Sequence, residues 1–72
     1  MKPTTEQLEQ IKTLCEKINR QKGFSTNIVT IGENYERPMV TVSSDKATYY
    51  FSQFDSNLVI GQLSRFLERA VV

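Results

Sequence analysis

Histidine and tryptophan are missing from this 72-residue sequence, and cysteine occurs once. Without histidine, the chain has no histidine-based catalytic triad and no histidine-ligated zinc site. A single cysteine excludes an intrachain disulfide and a CxxC redox pair. Because these absences remove most of the side-chain chemistry that enzymes use, the sequence predicts a protein that is not an enzyme and that holds no cofactor and no metal ion.

An excess of one charge and long apolar runs are also lacking. Nine Lys and Arg residues against eight Asp and Glu residues give a net charge of +1, so binding to nucleic acid through bulk charge is not indicated. No apolar run exceeds three residues, which predicts neither a signal peptide nor a membrane span. We therefore expect a cytoplasmic protein in which Cys15 is a reduced, buried core residue.

Glycine is scarce, and its three positions are isolated, so no glycine-rich phosphate loop is present. The two carboxylates Glu33 and Glu36 lie on a polar turn and are interpreted as solvated charge, not as a catalytic pair. The length fits one small domain spanning residues 1–72. A single core of this size supplies roughly 3 to 5 kcal/mol, so we expect self-association, as a symmetric homodimer, to add stability.

The first amphipathic pattern predicts a helix from about Thr5 to Lys22. Thr4 and Gln7 form a capping-box pattern at its start. Gly23 takes the left-handed position at its end, and Phe24 follows with the hydrophobic contact of a Schellman motif. Apolar residues then recur at three- and four-residue spacing along one face, at positions 8, 11, 14, 15 and 18.

Three β-rich runs follow, and short polar turns separate them. The pattern predicts strands over 24–31, 39–43 and 47–52, with a return loop over 35–38, as an antiparallel meander. In the second and third strands, alternation places one set of side chains toward the helices: Val40, Val42, Tyr49 and Phe51. For the first strand the choice stays open, because Ile28 lies on one face and Val29 with Ile31 on the other.

A second amphipathic pattern predicts another helix after the three candidate N-caps Asp55, Ser56 and Asn57. Its apolar stripe comprises Val59, Ile60, Leu63, Phe66, Leu67, Ala70 and Val71. Gly61 lies outside this stripe and either permits close packing or is a tolerated loss of helix propensity. The order α-β-β-β-α, with one apolar stripe on each helix, predicts an α+β fold whose three-stranded antiparallel sheet has both helices on one face.

This element order is similar to that of double-stranded-RNA-binding domains, and the similarity covers most of the chain. In that family the first helix, the first hairpin loop and a basic second-helix start contact RNA. Here residues 32–36 (Gly-Glu-Asn-Tyr-Glu) stand in place of a Gly-Pro-His loop, and residues 55–58 (Asp-Ser-Asn-Leu) in place of a Lys-rich start. The resemblance implies an alternative function as a nucleic-acid-binding domain, for which the basic residues are Lys12, Lys17, Arg20, Arg65 and Arg69.

Aromatic and apolar residues that the predicted core does not use favour another function. Tyr50 and Met39 fall on the uncovered face of the sheet, Tyr35 on the loop and Leu58 off the helical stripe, whereas Phe54 is expected to fill the helix–sheet junction. We predict a small protein-binding module that acts as an inhibitor, adaptor or regulatory subunit, as accessory proteins of phages and mobile elements commonly do. The partner is another protein, and the predicted contact residues are Tyr35, Met39, Tyr50, Glu33 and Glu36.

Overall fold

The computed structural model describes residues 3–32 and 36–69. In chain order its elements are α1 (Thr5–Lys22), β1 (Ser25–Ile31), β2 (Arg37–Ser43), β3 (Thr48–Ser52) and α2 (Ser56–Arg69). The strands form one antiparallel sheet in the order β1-β2-β3, and α1 and α2 pack on the same face of it and against each other. The predicted α+β architecture is confirmed.

The ends of α1 are fixed by local hydrogen bonds. The Thr4 hydroxyl accepts from the backbone N–H of Gln7 at 3.1 Å, and Gln7 Oε1 accepts from the backbone N–H of Thr4 at 2.9 Å, which completes the predicted capping box. At the other end Gly23 has φ 73° and donates its N–H to the Asn19 carbonyl at 3.2 Å. This single bond is that of the αL motif, so the predicted Schellman motif was wrong in its detail.

Asp55 is the N-cap of α2, one of the three candidates that the sequence predicts. The Asp55 carboxylate accepts from the backbone N–H of Asn57 at 2.9 Å, and its carbonyl accepts from Leu58 at 3.0 Å, whereas Ser56 is buried. A Cβ atom added to Gly61 would meet no atom within 4 Å. Close packing is therefore not the reason for this glycine.

The register of the sheet decides which side chains meet the helices. Val40 lies opposite Ile28 on one side and Phe51 on the other, and Val42 lies between Thr26 and Tyr49 in the same way. Val40 and Val42 are fully buried, so this face of the strands is the covered face. For β1 the register resolves the choice that the sequence left open, because Ile28 faces the helices while Val29 and Ile31 face away.

The strand bounds differ slightly from the prediction. β2 begins at Arg37 and not at Met39, so the predicted return loop was wrong at its end, where Pro38 is buried and lies opposite Thr30. A proline is accepted here because the β2–β3 pairing starts only at Met39, so no β3 residue needs its missing N–H. β1 and β3 each begin one residue later than predicted.

The two helices run side by side in the same direction. Their N-terminal ends are joined by the Gln7 side-chain amide, which donates to Asn57 Oδ1 at 3.2 Å. Cys15 is buried between the helices and the sheet, as predicted. Among the described residues, the buried core consists of Ile11, Cys15, Ile18, Val40, Val42, Val59 and Leu63. Ala70 and Val71 of the predicted apolar stripe lie outside the described residues.

Candidate functional site

The face of the sheet that points away from the helices changes in chemistry along its length. At one end, a row across the three strands holds Ser25, Ser43 and Thr48, all hydroxyl side chains. Toward the other end the rows become apolar and include Val29 beside Met39. We call the following set the open-face patch: Val29, Ile31, Arg37, Met39, Tyr50 and Phe54.

Exposure is concentrated in this patch. Five large hydrophobic side chains are exposed in the described part of the chain, and three of them belong to the patch: Tyr50 at 69%, Phe54 at 62% and Val29 at 38%. Ile31 and Met39 lie between them and are half-buried. Such a grouping of apolar side chains on one face is typical of a contact surface, whereas scattered single residues are not.

Phe54 is the clearest correction to the predicted surface. The expectation that it fills the helix–sheet junction was wrong, because its ring lies outside, with the guanidinium carbon of Arg37 4.7 Å from the ring centroid. On the covered face it is Phe66 of α2 that packs on β3, with its ring centroid 5.7 Å from that of Phe51. Phe54 follows β3 by two residues and stays on the side of Ser52 and Tyr50, so a cation–π contact covers one ring face and leaves the rest exposed.

Of the five predicted partner-contact residues, the structure brings Met39 and Tyr50 together. Tyr50 pairs with Thr41 and Met39 pairs with Ser52, so the two side chains are diagonal neighbours on the open face. Glu36 is half-buried directly before β2 and makes an interaction of its own. The other two predicted contact residues, Glu33 and Tyr35, lie outside the described residues.

On the covered face, Tyr49 belongs to an aromatic cluster at the end of the core. Its ring centroid lies 5.2 Å from that of Phe66 and 6.3 Å from that of Phe24, in tilted and edge-on geometries. Tyr49 is nevertheless 44% exposed, because the cluster lies at the border of the region that α2 covers. The two consecutive tyrosines therefore point to opposite faces, as the alternation predicts.

A second surface lies where α2 overhangs β3. Two adjoining depressions, of about 370 and 250 Å³, share Gln62 and Arg65 and together form what we call the α2–β3 groove. Among the described residues, no carboxylate lines it. Its lining comprises Phe51, Gln53, Asn57, Leu58, Gly61, Gln62, Arg65, Phe66 and Arg69.

One polar atom in this groove lacks a partner. Gln62 Oε1 is inaccessible to solvent and makes no hydrogen bond within residues 3–32 and 36–69. A buried acceptor without a donor costs free energy, which a ligand that supplies an N–H group would recover. The sequence predicted Arg65 and Arg69 as basic residues of the alternative nucleic-acid surface, but it gave no sign of the aromatic floor beneath them.

A third depression, of about 520 Å³, is an open groove between the two helices on their outer side. Leu14 and Ile60 form its apolar floor, and the carboxylates of Glu6 and Glu9 lie at its border. Its remaining lining residues are neutral and polar: Gln10, Thr13 and Ser64.

The basic residues of the alternative prediction are divided between two helices. Lys12, Lys17 and Arg20 are exposed on α1, and none of them lines the groove that Arg65 and Arg69 share. The structure therefore assembles two of the five cations in one concave surface and leaves three on another element.

Cys15 is the one nucleophilic thiol of the chain, and its surroundings suppress its reactivity. Burial raises its pKa above the ordinary value of 9.0, and a side-chain hydrogen bond with Thr26 opposes this shift only in part. In the described part of the chain, no three metal-ligating side chains come together, and neither α1 nor α2 is long and apolar enough to cross a membrane.

No family model matches this chain, and neither a curated protein nor a solved structure matches it.

Proposed function

We propose that this chain is a small, non-enzymatic protein-binding module that occupies a surface of a cytoplasmic partner through the open-face patch. The observation that supports this is the grouping of Tyr50, Phe54 and Val29 as exposed apolar side chains on one uncovered sheet face. Tyrosine, methionine and arginine are enriched at the centres of protein interfaces, and the patch contains one of each.

Burial of the patch explains how binding would be driven. Tyr50 and Phe54 expose broad ring surfaces, and removing apolar area from water contributes about 25 cal/mol for each Å². Arg37 holds its guanidinium on the ring of Phe54, so it presents its N–H donors at the border of the apolar area without a large loss of side-chain entropy on binding. The patch therefore offers an apolar centre and a polar border, which is the usual arrangement of a protein interface.

A pull-down experiment tests the proposal with matched baits. The wild-type protein and the Tyr50→Ala and Ser25→Ala variants are immobilised and exposed to a cytoplasmic extract, with and without nuclease, at about 50 and about 300 mM salt. Ser25→Ala is the control, because Ser25 is exposed at the polar end of the same face.

We expect one protein to be retained by the wild type and by Ser25→Ala through nuclease and high salt. Tyr50→Ala should lose about 2 kcal/mol of affinity, or roughly 30-fold, because aromatic anchors dominate interface energies. Equal retention by all three baits would contradict the patch as the binding surface. Retention that disappears with nuclease and with salt would instead favour nucleic acid as the partner.

Self-association through the same patch forms part of the proposal. A second copy that covers Tyr50 would bury the patch in a symmetric homodimer and add stability to a small core, which has seven buried residues in the described part of the chain. Sedimentation equilibrium of the wild type and of Tyr50→Ala measures this directly. A wild-type protein that stays monomeric at about 100 μM, with a thermal transition independent of concentration, would contradict the dimer and leave the patch to another protein.

A further inference from the structure

We propose that the α2–β3 groove binds an extended, acidic segment of a partner protein, which adds a fourth strand beside β3. This surface is distinct from the open-face patch, and the proposal does not depend on the patch being a binding site. Three features of the groove support it: the edge of β3, the spacing of Arg65 and Arg69, and the unpaired acceptor of Gln62.

β3 lies at the edge of the sheet. It pairs with β2 on one side, and in the described part of the chain no strand pairs with its other side. An unpaired strand edge presents a row of backbone N–H and C=O groups, and an extended peptide satisfies both kinds at once. The five residues of β3 span about 17 Å, which is enough for a partner strand of the same length.

Charge and spacing indicate which segment fits. Arg65 and Arg69 are exposed one helical turn apart on the side of α2 that borders the groove, and no described carboxylate lines it. Residues four apart on a helix are separated by about 6 Å along its axis, and residues two apart on a strand by about 6.8 Å. Acidic side chains at alternate positions of an added strand therefore match the two arginines.

The floor of the groove lies on the same side of the sheet as the two arginines. Phe51 and Phe66 form an apolar surface below the arginines, with ring centroids 5.7 Å apart. Successive side chains of an added strand point to opposite faces of the sheet, so the acidic residues that face the arginines also border this floor, and the residues between them point to the open face. The Gln62 side chain belongs to the same lining, and its buried Oε1, which lacks a donor, can accept a hydrogen bond from the segment after the side-chain amide turns toward the groove.

A protein strand fits these features better than nucleic acid does. A phosphate backbone would use the two arginines but would leave the edge of β3 unpaired and would cover the aromatic floor only by base stacking. The three cations of α1 do not line the groove, so they add nothing to a phosphate track there.

Titration with defined peptides, followed by NMR of the isotope-labelled protein, tests the proposal. The probe is a blocked ten-residue peptide that alternates glutamate with valine, and the control peptide alternates lysine with valine. We expect the acidic peptide to shift the amide signals of residues 48–52 and the guanidinium signals of Arg65 and Arg69, and to slow amide exchange along β3. The lysine peptide should produce no such shifts.

Charge reversal supplies the matched variants. The double variant Arg65→Glu, Arg69→Glu should weaken binding of the acidic peptide about tenfold or more, whereas Arg20→Glu, an exposed arginine on α1, should change it less than about twofold. A native-like amide spectrum of each variant shows that its fold is retained.

Three results would overturn the proposal. They are equal binding of the two peptides, shifts confined to residues outside β3 and α2, and no shift at about 2 mM acidic peptide. Binding of a short RNA duplex that requires Arg65 and Arg69, without any binding of the peptide, would assign the groove to nucleic acid and also overturn it. Because Tyr50→Ala and the arginine variants alter different surfaces, failure of this groove leaves the open-face patch untouched, and the reverse also holds.

Discussion

The covered and open faces of the sheet are made by the same three strands, yet they differ in what their side chains contact. On the covered face, Val40 and Val42 are fully excluded from solvent and pack against both helices. On the open face, Val29 and Tyr50 are exposed. In a domain with one helical layer, the covered face supplies stability and the open face is available for contacts with other molecules.

Alanine substitutions of two valines on opposite faces should give the largest difference in the free energy of unfolding. Val40→Ala should lower the free energy of unfolding by about 2 to 3 kcal/mol, because it removes two buried methyl groups and leaves a cavity. Val29→Ala, at a position that is 38% exposed, should lower it by less than about 1 kcal/mol. Urea denaturation of both variants measures the contrast, and equal losses would mean that the open face is covered in solution.

The consecutive tyrosines Tyr49 and Tyr50 lie on opposite faces, so their truncation should affect stability differently. Tyr49→Ala should cost about 1 to 2 kcal/mol of stability, because the Tyr49 ring packs on Phe24 and Phe66. Tyr50→Ala should change stability by no more than about 0.5 kcal/mol. Thermal denaturation of the dilute protein is the measurement. Unfolding caused by Tyr50→Ala, with Tyr49→Ala tolerated, would reverse the assigned faces of β3.

Gly61 lies on the uncovered side of α2. Gly61→Ala should raise the free energy of unfolding by about 0.5 to 1 kcal/mol, because alanine favours the helix and an added Cβ meets no atom within 4 Å. Chemical denaturation tests this gain. A loss of stability would show that another molecule packs closely on this side of α2 in solution.

Cys15 makes a side-chain hydrogen bond with Thr26 on the covered face. Its ionisation should have the smallest effect on the free energy of unfolding, and this effect depends on pH. Its folded-state pKa is raised, so the folded protein holds the thiol proton more tightly than the unfolded chain does. Stability should therefore be unaffected below the ordinary value of 9.0 and should fall as the pH rises from there toward the folded-state pKa. The measured quantity is the difference in the free energy of unfolding between wild type and Cys15→Ala, in which effects common to both proteins cancel.

Denaturation of both proteins between about pH 8 and about pH 10.5 gives that difference. A stability gap between wild type and Cys15→Ala that stays constant across the range would show that the thiol is accessible enough to ionise without cost. Slow modification of Cys15 by a thiol reagent near pH 8 is the independent control, because only the thiolate reacts.

The sequence predicts the helices well because their ends are local. Thr4, Gln7 and Gly23 define α1 through contacts within a few residues, and Asp55 does the same for α2. The faces of β2 and β3 were also predictable, since Val40 and Val42 share one face of β2, and Tyr49 and Phe51 share one face of β3. β1 was not, because Ile28 competes with Val29 and Ile31, and only the register against Val40 decides between them.

The candidate surfaces were predicted less completely. Tyr50 and Met39 follow from alternation alone, whereas the position of Phe54 depends on the path of the chain after β3 and on Arg37, which is distant in sequence. The α2–β3 groove depends on which flank of α2 lies toward α1. Ile60 and Ser64 lie on that flank and line one depression together with Leu14 of α1, an arrangement of two helices that no local pattern contains.

The hydrogen bond between Gln7 and Asn57 has a consequence for folding kinetics. It joins residues 50 positions apart, and the packing of α1 against α2 spans the whole meander between them. The hairpins close over short loops and can form quickly, whereas docking of the two helices must first overcome the entropy of closing a long loop. We therefore expect the meeting of α1 and α2 to limit the folding rate, so that during synthesis Ile11 and Ile18 are not fully buried until α2 has been made.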